Sequence, residues 1–202
     1  TEEGFVPVVD QALHRAVSAQ TIRATDVDHD GDLDLLTETG LFTANGDGSW
    51  RRQTEGLEAL SSGAVSVLPM DLDQDRDRDL VVVGQQGLWV IRNDRIWQWE
   101  SLQIDEEPAS AVVGGDPNAD GVVDLYVMRP AALDHYEVMR DLSLVRKNRT
   151  EIEGMHSMML ADFSGDGRLE LFCSGEGSAF VFSIDESAGV GAALEEFGFN
   201  AL

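Results

Sequence analysis

Four acidic segments of nine residues recur along the 202-residue chain at an almost constant spacing. They begin at Asp26, Asp71, Asp116 and Asp162, so the period is 45, 45 and 46 residues. A fixed period of this size is typical of repeated supersecondary units and falls in the range of propeller blades. The chain is therefore predicted to fold as one body built of equal parts, in which each part contacts its neighbours.

The composition of each segment is that of a calcium-binding loop. Carboxylates at positions 1, 3 and 5 line a tight curl, a glycine at position 6 takes the turn, position 7 offers a backbone carbonyl, and a carboxylate at position 9 closes the loop. Oxygen-only ligands in this number suit a hard cation. We predict up to four Ca²⁺ ions, held by Asp26, Asp28, Asp30, Asp32 and Asp34 in loop 1 (26–34), by Asp71, Asp73, Asp75, Asp77 and Asp79 in loop 2 (71–79), by Asp116, Asn118, Asp120, Val122 and Asp124 in loop 3 (116–124), and by Asp162, Ser164, Asp166, Arg168 and Glu170 in loop 4 (162–170).

The four loops differ in how well they match this pattern. Loop 1 has every carboxylate and its glycine, whereas loop 3 has the neutral Asn118 at position 3 and loop 4 has Ser164 there and Glu170 at position 9. Loop 2 has Arg76 where the glycine belongs, and a non-glycine residue in a left-handed conformation costs about 1 kcal/mol. We expect loop 1 to bind its ion most strongly and loop 4 most weakly.

Short apolar runs bounded by turn residues separate the loops. Asn45-Gly46 and Asp47-Gly48 are hairpin signals, because these residues tolerate positive φ. About four short antiparallel strands fit in each period, which predicts an all-β propeller of about four four-stranded blades over residues 1–185. Residues 186–202 are predicted to form a C-terminal tail, with a short helix at 193–196 or a further strand at 197–199.

The fourth repeat has no obvious fourth strand before the tail, while an unassigned strand is predicted at the N-terminus. Phe5 lies 21 residues before Asp26, just as Trp50 lies 21 residues before Asp71, so residues 5–9 occupy the position of a fourth strand. Pairing residues 5–9 with residues 180–184 would close a four-bladed ring and remove two open sheet edges. The alternative is that the four blades form part of a larger ring.

The spacing Asp-x-Asp-x-Asp-Gly-x-x-Asp between β-strands, at a period near 45, resembles the FG-GAP/VCBS repeat family. Its calcium loops lie on the blades of integrin α-subunit propellers and of many secreted bacterial proteins. The resemblance implies a calcium-stabilised propeller that binds other molecules, in an extracytoplasmic location, as part of a larger assembly. EF-hand and dockerin loops share the first nine positions but lead into helices, and here position 12 is Thr37, Val82, Val127 or Cys173, each within a β-type apolar run.

The formal net charge of −24 arises largely from the loops, which contain 16 of the 38 acidic residues. Four bound divalent ions would reduce it only to −16. With 14 basic residues in the whole chain, a nucleic acid or an anionic membrane surface is a poor partner, and no apolar run is long enough to span a membrane.

Residues outside the loops give little indication of catalysis. The four histidines are scattered, Cys173 lies in a buried-type strand, and Asp134-His135 is interpreted as a polar pair on the surface. Trp97, Trp99 and residues 130–134 are candidates for a surface patch. We predict a non-catalytic binding or scaffold module whose partner is a protein subunit or a glycan. The alternative is a metal-assisted polysaccharide lyase or hydrolase, or the accessory propeller of such an enzyme.

Overall fold

The computed structural model describes residues 21–94, 98–175, 177–185 and 189–198. Over these residues the strands form four antiparallel sheets of four strands each, which we call blades 1 to 4. Blade 1 contains β1 (Ile22–Thr25), β2 (Asp34–Thr37), β3 (Gly40–Ala44) and β4 (Trp50–Gln53). A single helical turn, α1 (Glu58–Ser61), precedes blade 2, which contains β5 (Ala64–Met70), β6 (Asp79–Gly84), β7 (Gly87–Asp94) and β8 (Gln98–Asp105).

Blades 3 and 4 repeat this arrangement. Blade 3 contains β9 (Ala111–Gly115), β10 (Asp124–Met128), β11 (Ala132–Val138) and β12 (Leu144–Glu151). Blade 4 contains β13 (Met155–Ala161), β14 (Glu170–Gly175), β15 (Ser178–Ile184) and β16 (Val190–Gly198). In every blade the strands pair in chain order. The predicted all-β class with four four-stranded blades is confirmed.

Strand register determines which side chains face the next blade. Leu36 pairs with Leu41 in blade 1, and Val81 pairs with Val90 in blade 2. Because side chains alternate across a strand, the neighbouring positions face the previous blade. The core consequently lies between the blades, in three apolar clusters among the described residues. One contains Leu36, Leu41, Val67, Leu80 and Ile91 from blades 1 and 2; another contains Val81, Val90, Val112, Leu125 and Tyr136 from blades 2 and 3; the third contains Tyr126, Met128, Leu171, Cys173 and Phe182 from blades 3 and 4.

A buried ion network joins blades 2 and 3 at the end opposite the acidic loops. The Arg129 side chain is fully buried and lies 3.1 Å from Asp134 and 2.6 Å from Asp105, and it donates to the Tyr136 hydroxyl at 3.0 Å. The pKa of Tyr136 is raised, chiefly because the hydroxyl is buried. A buried charge is tolerated only when it is paired, so Arg129 fixes the β10–β11 turn against the end of β8. Asp134 was predicted to lie on the surface, but the structure buries it in this network.

The C-terminal segment corrects two predictions. Residues 190–198 form β16, which pairs with β15, so blade 4 extends past residue 185 and the helix predicted at 193–196 is wrong. The turn is short, with Asp185 N donating to Gly189 O at 3.0 Å. Pairing with an adjacent segment closes a smaller loop than pairing with the opposite end of the chain, and it overrides the local helix preference of Ala-Leu-Glu-Glu.

The position on β15 predicted for residues 5–9 is thus occupied by β16. The predicted pairing with residues 180–184 is therefore wrong, because β14 and β16 take both edges of β15. Residues 5–9 themselves lie outside the described residues, and closure of the ring within this chain stays a prediction. Among the described residues, no helix has the length and apolar character needed to cross a membrane.

Candidate metal centres at one end of the blades

The four acidic loops occupy the same place in each blade. Each connects the first strand to the second, that is β1 to β2, β5 to β6, β9 to β10 and β13 to β14. Neighbouring loops also contact each other. His29 Nε2 of loop 1 lies 3.4 Å from Asp77 Oδ1 of loop 2, and Gln74 of loop 2 donates to the Gly121 carbonyl of loop 3 at 2.5 Å. In loops 1 and 2, position 4 therefore reaches the following loop.

The loops share one backbone conformation in spite of their different sequences. In each, the position-1 carboxylate accepts from the amide at position 6: Asp26 from Gly31 at 3.2 Å, Asp71 from Arg76 at 3.2 Å, Asp116 from Gly121 at 2.9 Å and Asp162 from Gly167 at 2.9 Å. The position-5 carboxylate accepts from the amide at position 7 at 2.8 to 2.9 Å in all four. These bonds curl the chain so that acidic side chains converge.

Two residues in every loop have a positive φ, at positions 4 and 6. At position 6, φ is 95° for Gly31, 82° for Arg76, 82° for Gly121 and 87° for Gly167. The expectation that Arg76 adopts a left-handed conformation is confirmed. Position 4, occupied by His29, Gln74, Ala119 and Gly165, is also left-handed, with φ between 57° and 75°. The sequence did not indicate this strain, because glycine is absent at position 4 in three of the loops.

The position-9 carboxylates of loops 1 and 2 are buried and anchor the loops to the sheets. Asp34 accepts the Val27 amide at 2.9 Å and the Ala44 amide of β3 at 3.0 Å. Asp79 accepts the Leu72 amide at 3.0 Å and the Asn93 amide of β7 at 2.9 Å. In loop 4, Glu170 folds back and accepts the Phe163 amide at 2.7 Å and the Ser164 hydroxyl at 2.8 Å.

Three loops bring together three carboxylate groups whose oxygens lie within 4.8 Å of one another: Asp26, Asp28 and Asp34; Asp71, Asp73 and Asp79; and Asp162, Asp166 and Glu170. In addition, Asp26 Oδ1 and Asp71 Oδ1 are buried without a hydrogen-bond partner. Buried carboxylate oxygens without donors are costly unless a cation binds them, so the residues of loops 1 and 2 fit a hard divalent ion.

The other predicted ligands lie outside these clusters. In loops 1 and 2 they are Asp30, Asp32, Asp75 and Asp77. In loop 4, Ser164 hydrogen-bonds Glu170, and Arg168 is exposed. None of the loop 3 residues Asp116, Asn118, Asp120, Val122 and Asp124 belongs to a cluster of three acidic groups in the described part of the chain. Among the four loops it is therefore loop 3, rather than loop 4, that has the poorest convergence of acidic groups. The ranking of ion affinities stays a prediction.

Burial, with a smaller contribution from mutual repulsion, raises the pKa of four loop carboxylates. The pKa of Asp79 is raised from 3.8 to about 6, mainly by burial and further by the charges of Asp73 and Asp75, although two amide hydrogen bonds oppose the shift. The pKa values of Asp28, Asp34 and Asp73 are also raised, with burial as the largest cause. Without a cation, these four carboxylates in loops 1 and 2 are thus protonated more easily than a free aspartate.

Residues outside the loops behave partly as predicted. Cys173 is buried between blades 3 and 4, where burial raises the pKa of its thiol to about 12, so its role as a core residue is confirmed. Trp99 is buried between blades 1 and 2, which argues against its place in a surface patch, and Trp97 lies outside the described residues. His135, expected on the surface, is 2% exposed.

A cleft of about 420 Å³ separates loops 3 and 4 on the loop-bearing end. Its polar lining includes Asn118, Arg168 and Asp185, and its apolar lining includes Pro117, Ala119 and Ile184. Ala119 occupies position 4 of loop 3 and offers only a methyl group, whereas the equivalent His29 and Gln74 reach the next loop. The cleft thus lies where the position-4 side chain is too short to reach the next loop.

Comparison with known proteins places the fold but not the family. No family model matches the chain, and no curated protein matches it. A solved lectin from Agrocybe aegerita, described as recognising non-reducing terminal N-acetylglucosamine, has a TM-score of 0.56 at 17% identity over 84% of this chain and 50% of its own. A protein from Lactobacillus plantarum has a TM-score of 0.57 at 12% identity over 89% of this chain and 52% of its own.

The chain spans about half the length of these two solved structures. At such low identity the likeness shows a shared all-β fold and nothing about ligands. Membership of the FG-GAP/VCBS family stays a prediction carried by the loop motif.

The left-handed Arg76 gives a direct test of loop strain. We expect Arg76→Gly to raise the free energy of unfolding by about 1 kcal/mol in saturating Ca²⁺, because glycine adopts φ near 82° without a Cβ clash. The measurement is urea unfolding. Arg78→Gly is the matched control, since it removes the same charge two residues away at a position whose φ is not positive. Equal effects of the two substitutions would contradict the account.

The raised pKa of Asp79 predicts how the metal-free protein responds to acid. Since its folded-state pKa of about 6 exceeds the ordinary 3.8, the folded state binds more protons in this window, and stability falls as pH rises from 4 to 6. The contribution of Asp79 is about 3 kcal/mol at most. We expect Asp79→Asn to flatten the dependence on pH, measured by urea unfolding of metal-stripped protein.

Asp47 is the control for this experiment. Hydrogen bonds from Ser49 lower its pKa, so its contribution has the opposite sign and is lost as pH falls. Asp47→Asn should therefore leave the downward slope between pH 4 and 6 in place. A slope that Asp79→Asn leaves unaltered would refute the assignment.

Proposed function

We propose that the chain is a calcium-stabilised, non-catalytic binding module of an extracytoplasmic assembly. The observation that carries the proposal is the convergence of three carboxylates within 4.8 Å in each of three loops, two of which contain a buried carboxylate oxygen without a donor. An all-oxygen ligand set of this kind favours Ca²⁺ over softer metals. When bound, the ion would supply positive charge that holds mutually repelling carboxylates together.

A structural role for the ions is favoured over a catalytic one because the clusters repeat. Catalysis needs one special site, whereas these clusters lie at equivalent positions in blades 1, 2 and 4. Their position-9 residues are buried and hydrogen-bonded to the backbone of the loop, and in blades 1 and 2 also to the third strand. Ion binding would therefore fix each loop to its own sheet.

The partner is proposed to bind at the loop-bearing end, where the cleft between loops 3 and 4 lies. The exposed Arg168 offers donors, Asp185 offers a carboxylate, and Pro117 and Ile184 offer apolar surface. This mixture suits a neutral polyhydroxylated ligand such as a glycan end group, and the strongly negative net charge disfavours an anionic one. The lectin that shares the fold recognises N-acetylglucosamine, which makes that sugar the first probe to use.

Calcium removal tests the proposal. We expect Ca²⁺ at 100-fold excess over its dissociation constant to stabilise the protein by about 2.7 kcal/mol per occupied site, provided that the unfolded chain does not bind. Differential scanning calorimetry before and after chelation measures the effect. Asp34→Asn should reduce it, whereas Asp47→Asn, an exposed acid in the β3–β4 hairpin, should not. A melting temperature that is the same with and without Ca²⁺ would rule the proposal out.

Ligand binding is tested with the methyl glycoside of N-acetylglucosamine in Ca²⁺-containing buffer. With roughly 15 non-hydrogen atoms at about −0.3 kcal/mol each, we expect a dissociation constant on the order of a millimolar. NMR titration should show saturable shifts at residues 118, 168 and 185 that disappear in Arg168→Ala and persist in Arg51→Ala, a control on the outer strand of blade 1. Shifts that survive Arg168→Ala would place the ligand elsewhere.

A further inference from the structure

Loop 3 lacks both backbone donors that hold the position-9 carboxylate in loops 1 and 2. At position 2, Val27 and Leu72 donate their amides to Asp34 and Asp79, but Pro117 has no N–H. The second donor lies on the third strand and is Ala44 in blade 1 and Asn93 in blade 2. Each lies two residues after the strand partner of the residue that follows the position-9 carboxylate, Leu35 or Leu80. By the same register the equivalent residue in blade 3 is Val138, two residues after Tyr136, the partner of Leu125. The Val138 amide instead donates to the Val123 carbonyl at 2.9 Å.

A histidine replaces one of these donors. Asp124 lies two residues before Tyr126 on β10, on the same face, and Tyr126 pairs across the sheet with His135. His135 Nε2 lies 2.7 Å from Asp124 Oδ1, and an ionised carboxylate can only accept, so Nε2 donates. The imidazole stacks on the Tyr126 ring at 5.1 Å between centroids, and both side chains are almost fully buried. The equivalent residues Leu41, Val90 and Val181 cannot make this bond.

The remaining Asp124 oxygen, Oδ2, is buried without a hydrogen-bond partner. This is what the loss of the amide at residue 117 would produce. Unlike the donor-free oxygens of Asp26 and Asp71, Asp124 belongs to no cluster of three acidic groups in the described part of the chain, so no converging carboxylates accompany it to hold a cation. The unpaired Oδ2 also shows that the histidine compensates for only one of the two missing donors, which ties the orientation of the carboxylate to a single contact with β11.

Loop 3 also has less repulsion between carboxylates than loops 1 and 2. At position 3 the Asn118 side chain donates Nδ2 to Asp120 Oδ2 at 3.0 Å, where loops 1 and 2 place two carboxylates side by side. It contains three acidic residues against five in loops 1 and 2. The curl of the backbone is nevertheless the same, with Asp116 accepting from Gly121 and Asp120 accepting from Val122. The loop thus reaches its conformation with fewer repelling charges.

We propose that loop 3 is a metal-independent loop, closed by the His135–Asp124 and Asn118–Asp120 hydrogen bonds, so that the propeller binds three Ca²⁺ ions rather than four. The inference rests on the proposed calcium-binding function. His135 acts as a positioning residue that holds Asp124 on the sheet and withholds it from the loop.

Ion counting tests this inference. Native mass spectrometry and equilibrium dialysis of the whole chain with Ca²⁺ should give three ions per chain. Asp124→Asn should still bind three, whereas the matched substitution Asp34→Asn should bind two. A triple variant, Pro117→Leu with Asn118→Asp and His135→Val, gives loop 3 the residues that blade 2 has at these positions, and we expect it to bind a fourth ion.

The outcomes separate the inference from the proposed function. Four ions on the wild-type chain, with one lost in Asp124→Asn, would overturn the inference and leave calcium binding intact. No bound ion would overturn the proposed function and the inference with it. If the triple variant does not fold, the comparison of Asp124→Asn with Asp34→Asn decides alone, because equal losses of one ion would refute the special role of loop 3.

Discussion

The buried carboxylate at position 9 is the contact on which the loop-bearing end of blades 1 and 2 depends. One side chain accepts from the loop and from the third strand, so the loop, the second strand and the third strand meet at a single group. Burying an acid is costly, and here two amides offset part of the cost, while the proposed ion would offset more of it. Moving such a residue by one position would turn its side chain to the other face of the sheet and release the loop.

Much of the fold follows from the sequence because the repeat is visible in it. The period, the apolar runs and the turn residues predict about four strands in each repeat, and each blade has four, since the repeats pack in the same way. The position of residues 190–198 is not predictable in this way, because Ala-Leu-Glu-Glu has a local preference for helix and the free edge of β15 decides against it.

The candidate site is predictable in its ligand types and less so in its differences. The substitutions Ser164 and Glu170 rank loop 4 last, yet Glu170 folds back to reach its neighbours while Asp124 is drawn away by a residue from another strand. His135 carries no loop motif and lies 11 residues from Asp124 in sequence, so only the strand register reveals the pair. Arg129 was missed for a similar reason, since its partners Asp105 and Asp134 come from two different blades.

The pairing of strands in chain order has a consequence for how the molecule forms. Every sheet is completed by consecutive hairpins, β16 after β15 included, so no blade has to wait for a distant segment before its backbone groups are paired. Contacts that are short in sequence close quickly, because little chain entropy is lost in bringing them together. Each blade is then able to fold soon after it leaves the ribosome, and the next blade packs against a blade that is already folded.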